Sequence, residues 1–236
     1  MKSLEFEGEY LLNIKWNGKG YNKDYIKIYE LINGNGTSRE YAKIRDSYDT
    51  LVFEGEYRNG IRNGKGKEYS KEGILIFEGE YLNGIRNGKG KAYDYEQGQL
   101  IYDGEYLNGK WNGKGKEYEN NILVFEGEYL NEKRWNGKGK EYYNDHLIYE
   151  GEYLNGEWNG KGKKYDINFG YLVYEGEFLN GRSNGKGKLY KNGKLIYEGE
   201  FKNNSRNGKG KEYDKNGNII FDGEYENDWP IHKEIE

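Results

Sequence analysis

The chain has 236 residues, 33% of them charged, a formal net charge of -4 and a mean hydropathy of -1.18. That polarity approaches the composition of disordered chains, but 17% aromatic residues argue against disorder, since each ring buries about 150–250 Å². The balanced charge gives no basic nucleic-acid footprint, the lack of Cys excludes disulfides and thiolate metal sites, and no stretch approaches the roughly 18 apolar residues of a membrane span.

Taken in order, the chain repeats itself. An aromatic anchor recurs every 23 to 25 residues, at Phe6, Tyr29, Phe53, Phe77, Tyr102, Phe125, Tyr149, Tyr174, Tyr197 and Phe221. Nine of these open the pattern aromatic-acid-Gly-Glu-aromatic. The opening segment MKSLEFEGEY has no apolar leader, so a cytoplasmic location is expected. Fixed periods of this length mark repeat architectures.

One copy reads as a β-hairpin. In Leu75–Leu82, residues Leu75, Phe77, Gly79 and Tyr81 share one strand face. Asn83-Gly84 is the strongest short hairpin signal. If that turn has two residues, Phe77 faces Gly90, Gly79 faces Gly88, and Glu78 faces Lys89. Rings then lie over glycines and unlike charges pair across strands. Copies opening at Phe6 and Phe125 carry one extra residue, expected in this first turn. A second, more variable turn joins each copy to the next, as at Ser70–Gly73. Residues 25–48 keep the period, and 25–44 read as a hairpin around Asn33-Gly34-Asn35-Gly36. The rival is a short helix over Thr37–Tyr48, capped by Thr37 and Glu40.

The whole is all-β: an array over residues 1–225 of about ten tandem hairpins, followed by a cap or docking tail at 226–236. Pro230 cannot donate to a ladder there. The edge near Phe6 shows no equivalent cap, which favours self-association, possible as a homodimer.

The pattern Tyr149-x-Gly151-x4-Gly156-x3-Gly160-x-Gly162 resembles the MORN repeat (membrane occupation and recognition nexus). The resemblance covers nearly the whole chain. Phe replaces the leading Tyr in five copies, Glu132 and Asn204 replace the middle Gly, and the Tyr29 copy rests on spacing. The resemblance implies an elongated, twisted single-layer antiparallel sheet. It also implies a scaffold, tether or regulator at membrane or cytoskeleton, often dimeric. Repeat stacking is expected from Phe53, Tyr57, Phe77, Tyr81, Tyr102, Tyr106, Tyr149 and Tyr153, with Gly151, Gly160 and Gly162.

Several site readings fail on chemistry. Gly-Lys-Gly is not a phosphate loop, because Gly66 stands where Ser or Thr is needed and no helix is expected to follow. The repeated pairs such as Glu54 and Glu56 lack the divergent environments that acid–base catalysis needs. His146 and His232 have no ligand partners in the sequence. No cofactor, metal or enzymatic activity is expected. The position before Asn-Gly-Lys-Gly varies: Trp16, Trp111, Trp135 and Trp158, against Arg62, Arg86 and Arg206, and Ser183. Trp and Arg dominate interface energetics. Trp111, Trp135, Trp158, Arg62, Arg86 and Arg206 are therefore the candidate partner-binding residues of a non-enzymatic scaffold, expected to bind a protein or a second copy through an extended aromatic face. The bland alternative packs them on the anchor rings. A second functional reading is an adaptor on anionic membranes, through Lys65, Lys89, Lys114, Lys138, Lys161 and Lys186, their field reduced by neighbouring glutamates.

Overall fold

The computed structural model describes residues 6–22, 24–42, 50–144 and 146–232. Among them are twenty β-strands and no helix. The chain divides into two compact units, Met1–Leu123 with Leu130–Glu132, and Val124–Tyr129 with Lys133–Glu236. In the first, successive strands from Phe6–Leu11 to Lys110–Glu119 pair antiparallel, each with the next. In the second, the same holds from Lys133–Tyr143 to Trp229–Ile231.

The hairpin Leu75–Leu82 and Ile85–Tyr93 shows how one copy works. Its turn residues have positive φ, 51° at Asn83 and 84° at Gly84. This two-residue geometry matches the right-handed strand twist, and Asn-Gly adopts it most readily. The Gly84 N–H then donates to the Arg62 carbonyl of the preceding hairpin at 2.8 Å. Gly109 and Arg86 repeat the bond in the first unit, and Gly181 and Trp158 in the second.

The register differs from the simple hairpin by two residues. Gly79 faces Gly90, Glu78 faces Lys91, and Phe77 faces Ala92, while Tyr81 faces Arg86. Asn87, Gly88 and Lys89 therefore bulge opposite Glu80 alone. Gly88 sits at φ 95° with the Glu80 carboxylate directly over it, so a side chain there meets both backbone and steric resistance. The same carboxylate accepts the Lys89 N–H at 3.4 Å. Because the slip is two residues, every side chain keeps its face.

The extra residue at Phe6 and Phe125 is not in the turn. Both turns keep two positive-φ residues, Leu12-Asn13 and Asn131-Glu132. The insertion lies in the return strand, where Gly8 faces Gly18 rather than Gly20. Gly137 likewise takes the place against Gly127. Lys15 and Arg134 then reach the anchor rings of Phe6 and Phe125, and Trp16 and Trp135 are displaced by one position.

The Tyr29 copy is a hairpin, Lys27–Ile32 and Asn35–Ala42, turning at Asn33-Gly34. Strand pairing through Ala42 rules out the helix as far as Ala42; its remainder, 43–48, lies outside the described residues. Ser38 occupies the place opposite Gly55 that glycine fills elsewhere. Tyr29 lies instead against Gly20 of the preceding hairpin. At the other end Trp229–Ile231 pairs with Glu224–Glu226, with Pro230 opposite Tyr225. Residues 233–236 of the expected tail lie outside the described residues.

Candidate interaction surfaces

Each hairpin has a ring face and a charged face. On the ring face the anchors are sealed. Phe53, Phe77, Tyr102, Tyr149 and Tyr197 have no exposed surface. A Cβ on Gly90 would lie 2.6 Å from Phe77 Cζ, and one on Gly162 would lie 2.6 Å from the Tyr149 hydroxyl. Only glycine admits rings this close to the backbone. Gly151 also lies under Tyr149, whereas Gly160, at φ 65°, abuts the Glu152 carboxylate in the bulge.

In most copies the second ring bridges two anchors edge-on. Tyr81 meets Phe77 at 5.5 Å and Phe53 at 5.2 Å, and Tyr106 meets Tyr102 at 5.4 Å and Phe77 at 5.2 Å. Tyr57 meets Phe53 at 5.8 Å. In the second unit Tyr153 bridges Tyr149 and Phe125 in the same way, both at 5.5 Å. Edge-to-face geometry suits the ring quadrupoles and adds about 0.5–1.5 kcal/mol per pair. Stacking thus passes from hairpin to hairpin through a zigzag of rings.

The variable column covers those anchors. Trp111 stacks on Tyr102 at 4.2 Å and Trp158 on Tyr149 at 4.2 Å, each nearly parallel. Arg62 lies 3.9 Å over Phe53 and Arg86 4.3 Å over Phe77. Arg206 lies 5.5 Å over its anchor Tyr197 and 4.8 Å over Tyr225, the second ring of the next copy. All five are half-buried. Trp135 is not brought into this column; it lies against the turn at Gly156, as Trp16 does at Gly34. The signal was the one-residue-longer run between anchor and Gly-Lys-Gly.

An acid beside the anchor pairs with the column's N–H groups. Arg62 donates to Glu40 at 3.0 Å and Glu68 at 3.3 Å, Arg86 pairs with Glu68, and Trp158 Nε1 donates to Glu141 at 2.9 Å. Burial would raise the Glu40 carboxyl, but hydrogen bonds from Arg62 and Tyr57 hold it below the usual range. Burial, then Glu40, pushes the Tyr57 hydroxyl well up. In the sequence Glu40 reads as half of a capping box, and Glu68 and Glu141 carry no signal.

The charged face carries ladders of alternating sign. Lys67 lies 3.8 Å from Glu78, and Lys163 lies 3.5 Å from Glu150. Nearer the first turn, Glu56 and Glu105 accept the backbone N–H groups of Lys65 and Lys114, at 3.0 and 2.9 Å. In the first unit a groove of about 570 Å³ runs over this face, between Arg39, Lys67 and Lys91 on one side and Lys65, Glu80 and Lys89 on the other. Among the described residues no three His, Asp or Glu side chains gather as metal ligands, and no helix is long and apolar enough to cross a membrane.

The repeated pattern of aromatics and glycines matches a known unit. The family model of the MORN repeat fits residues 53–74, 77–95, 102–121, 149–169, 174–194 and 197–219, more than half of the chain. The chain belongs to the MORN-repeat family. The hairpins at Phe6, Tyr29, Phe125 and Phe221 fall outside the matched MORN repeats, and each departs from the regular copy. Phe6 and Phe125 carry the inserted residue, Tyr29 has Ser38 for a glycine, and the Phe221 return strand is only Trp229–Ile231. No curated protein matches the chain.

Proposed function

We propose that this MORN-repeat chain is a non-catalytic scaffold that binds another protein along the first-turn edge of its hairpins. One observation carries the reading. The recurring residues are used in stacking, while exposed apolar and cationic side chains recur at the same edge of successive hairpins. A repeat array adds binding surface hairpin by hairpin, and each hairpin is held mainly by its neighbours. The half-buried rims of Trp111, Trp158, Arg62, Arg86 and Arg206 border that edge on the ring face, and a partner there would touch them as hot spots. The titratable groups sit in repeated, paired surroundings, which gives no pair of carboxyls with divergent roles.

The test is co-purification of the tagged full chain from its native source, followed by rebinding of the purified candidate to the pure chain. A protein that rebinds in fixed stoichiometry supports the reading, a second copy of the chain included. If nothing rebinds, and light scattering shows a monomer at every concentration, the scaffold reading fails.

A further inference from the structure

We infer that the first unit binds an acidic amphipathic helix along the first-turn edge of its charged face; this rests on the scaffold reading and names the partner's chemistry. Three consecutive hairpins, those of Phe53, Phe77 and Tyr102, carry the site. Their turn-flanking pairs are Arg58 with Ile61, Leu82 with Ile85, and Leu107 with Lys110. The four aliphatic residues are 44–51% exposed. They form a line along the stacking direction, since Ile61 touches the next turn at Gly84 and Ile85 touches the next at Gly109, each at 3.5 Å from the Cβ position. Isolated exposed leucines are ordinary, but a line of them in register on successive repeats marks a contact surface.

The charge beside this line is cationic. Lys65, Lys89 and Lys114 are exposed and make no ion pair among the described residues. Their neighbours Glu56, Glu80 and Glu105 turn inward onto backbone N–H groups of the bulge. With Arg58 and Lys110 at the ends, the edge and its first charge row hold five cations against three carboxylates. An acidic partner satisfies those lysines, and a basic one meets like charge.

Spacing selects a helix. Hairpins repeat every two strands, about 9.6 Å at ~4.8 Å per strand. Seven helical residues rise about 10.5 Å. Two heptads therefore lay one apolar stripe over Ile61, Leu82, Ile85 and Leu107, with a row of Asp or Glu above Lys65, Lys89 and Lys114. A flat anionic bilayer fits less well. Charges of both signs alternate just inside this row, so their field decays within the ~8–10 Å screening length, whereas a helix sets single carboxylates directly on single lysines. The second unit lacks the pattern, because Glu157 and Ser205 interrupt its turn edge.

The test uses the full chain and a labelled three-heptad peptide with Leu at a and d and Glu at e and g, read by fluorescence anisotropy. Saturable binding is expected. Leu82→Asn with Ile85→Asn, and separately Lys65→Glu with Lys89→Glu, should each weaken it about tenfold or more, with the native circular dichroism spectrum and a cooperative melt retained. A scrambled peptide of the same composition, and one with Lys at e and g, should not bind. Equal binding of the scrambled peptide, or no effect of either variant, overturns the inference. If vesicles of phosphatidylserine and phosphatidylcholine float the chain through these residues and the peptide does not bind, a membrane replaces the helix and the inference falls. A natural protein partner whose binding ignores both variants also overturns it, yet leaves the scaffold reading standing.

Discussion

The indole of Trp158 lies parallel to the ring of Tyr149, 4.2 Å above it, and its Nε1–H donates to Glu141 at 2.9 Å. Arg86 reproduces both contacts in another hairpin, lying over Phe77 and pairing with Glu68. Two chemically different residues therefore perform one task, which is to cover an anchor ring and satisfy the acid beside it. Ser183 stands where no such acid does, because its anchor Tyr174 faces Lys164 and Leu189.

Substitution at this position should follow the task rather than the residue class. Trp158→Ala removes the stack and leaves Glu141 unpaired, and should cost about 2–3 kcal/mol. Trp158→Phe keeps a ring and loses one hydrogen bond, about 1 kcal/mol. Trp158→Arg should stay within about 1 kcal/mol of the native chain, since a guanidinium stacks and pairs there as Arg86 does. Urea unfolding of the three variants checks the order.

Glycines should divide by location. Gly90→Ala places a methyl 2.6 Å from Phe77 Cζ and should cost about 1–3 kcal/mol through overpacking. Gly73→Ala, at φ 83° with nothing within 4 Å, meets only the backbone penalty, about 1 kcal/mol. Thermal melts of the pair separate the steric term from the conformational one.

Alkaline pH should unfold the array. The hydroxyls of Tyr69 and Tyr93 donate to Glu54 and Glu78 at 2.9 and 2.8 Å, and burial, then that carboxylate, pushes each up to about 12. A hydroxyl raised above its ordinary 10.0 binds its proton more tightly when folded. Its contribution is complete below pH 10 and is lost as pH rises through about 12. Circular dichroism and tyrosinate absorbance should change together in that window, and Tyr69→Phe with Tyr93→Phe should shift it upward.

Glu132 occupies a turn position at φ 68°, where most copies have glycine, and its N–H still donates to the Trp111 carbonyl at 2.9 Å. Glu132→Gly keeps that bond and relieves the left-handed backbone, so it should stabilise by about 0.5 kcal/mol. A small rise in the unfolding midpoint is the expected result.

Spacing and turn chemistry made the hairpins legible, because Asn83-Gly84 and the anchor period are local signals. The faces were legible for the same reason, since side chains alternate along a strand whatever its register. The bulge was not, because a two-residue slip changes no face. Only Gly88, a glycine between Asn and Lys in mid-strand, hinted at it. The displaced Trp135 was readable in principle from the longer run after Phe125, yet sequence alone does not say whether an extra residue enters a turn or a strand. The pairing of Glu40, which reads as a helix cap, and of Glu68 and Glu141 was not legible, because their partners lie in other strands, at separations that a window along the chain does not span.

The central claim is that buried rings on glycine hold the stack while the turn-edge aliphatics are free for a partner. The most direct measurement compares the urea unfolding midpoints of Gly90→Ala and of the quadruple variant Ile61→Asn, Leu82→Asn, Ile85→Asn, Leu107→Asn against the native chain. The account predicts a clear loss for the single glycine change and a smaller one for the quadruple variant, whose side chains are only half-buried. An unaltered midpoint for Gly90→Ala, with a large loss for the quadruple variant, would contradict it.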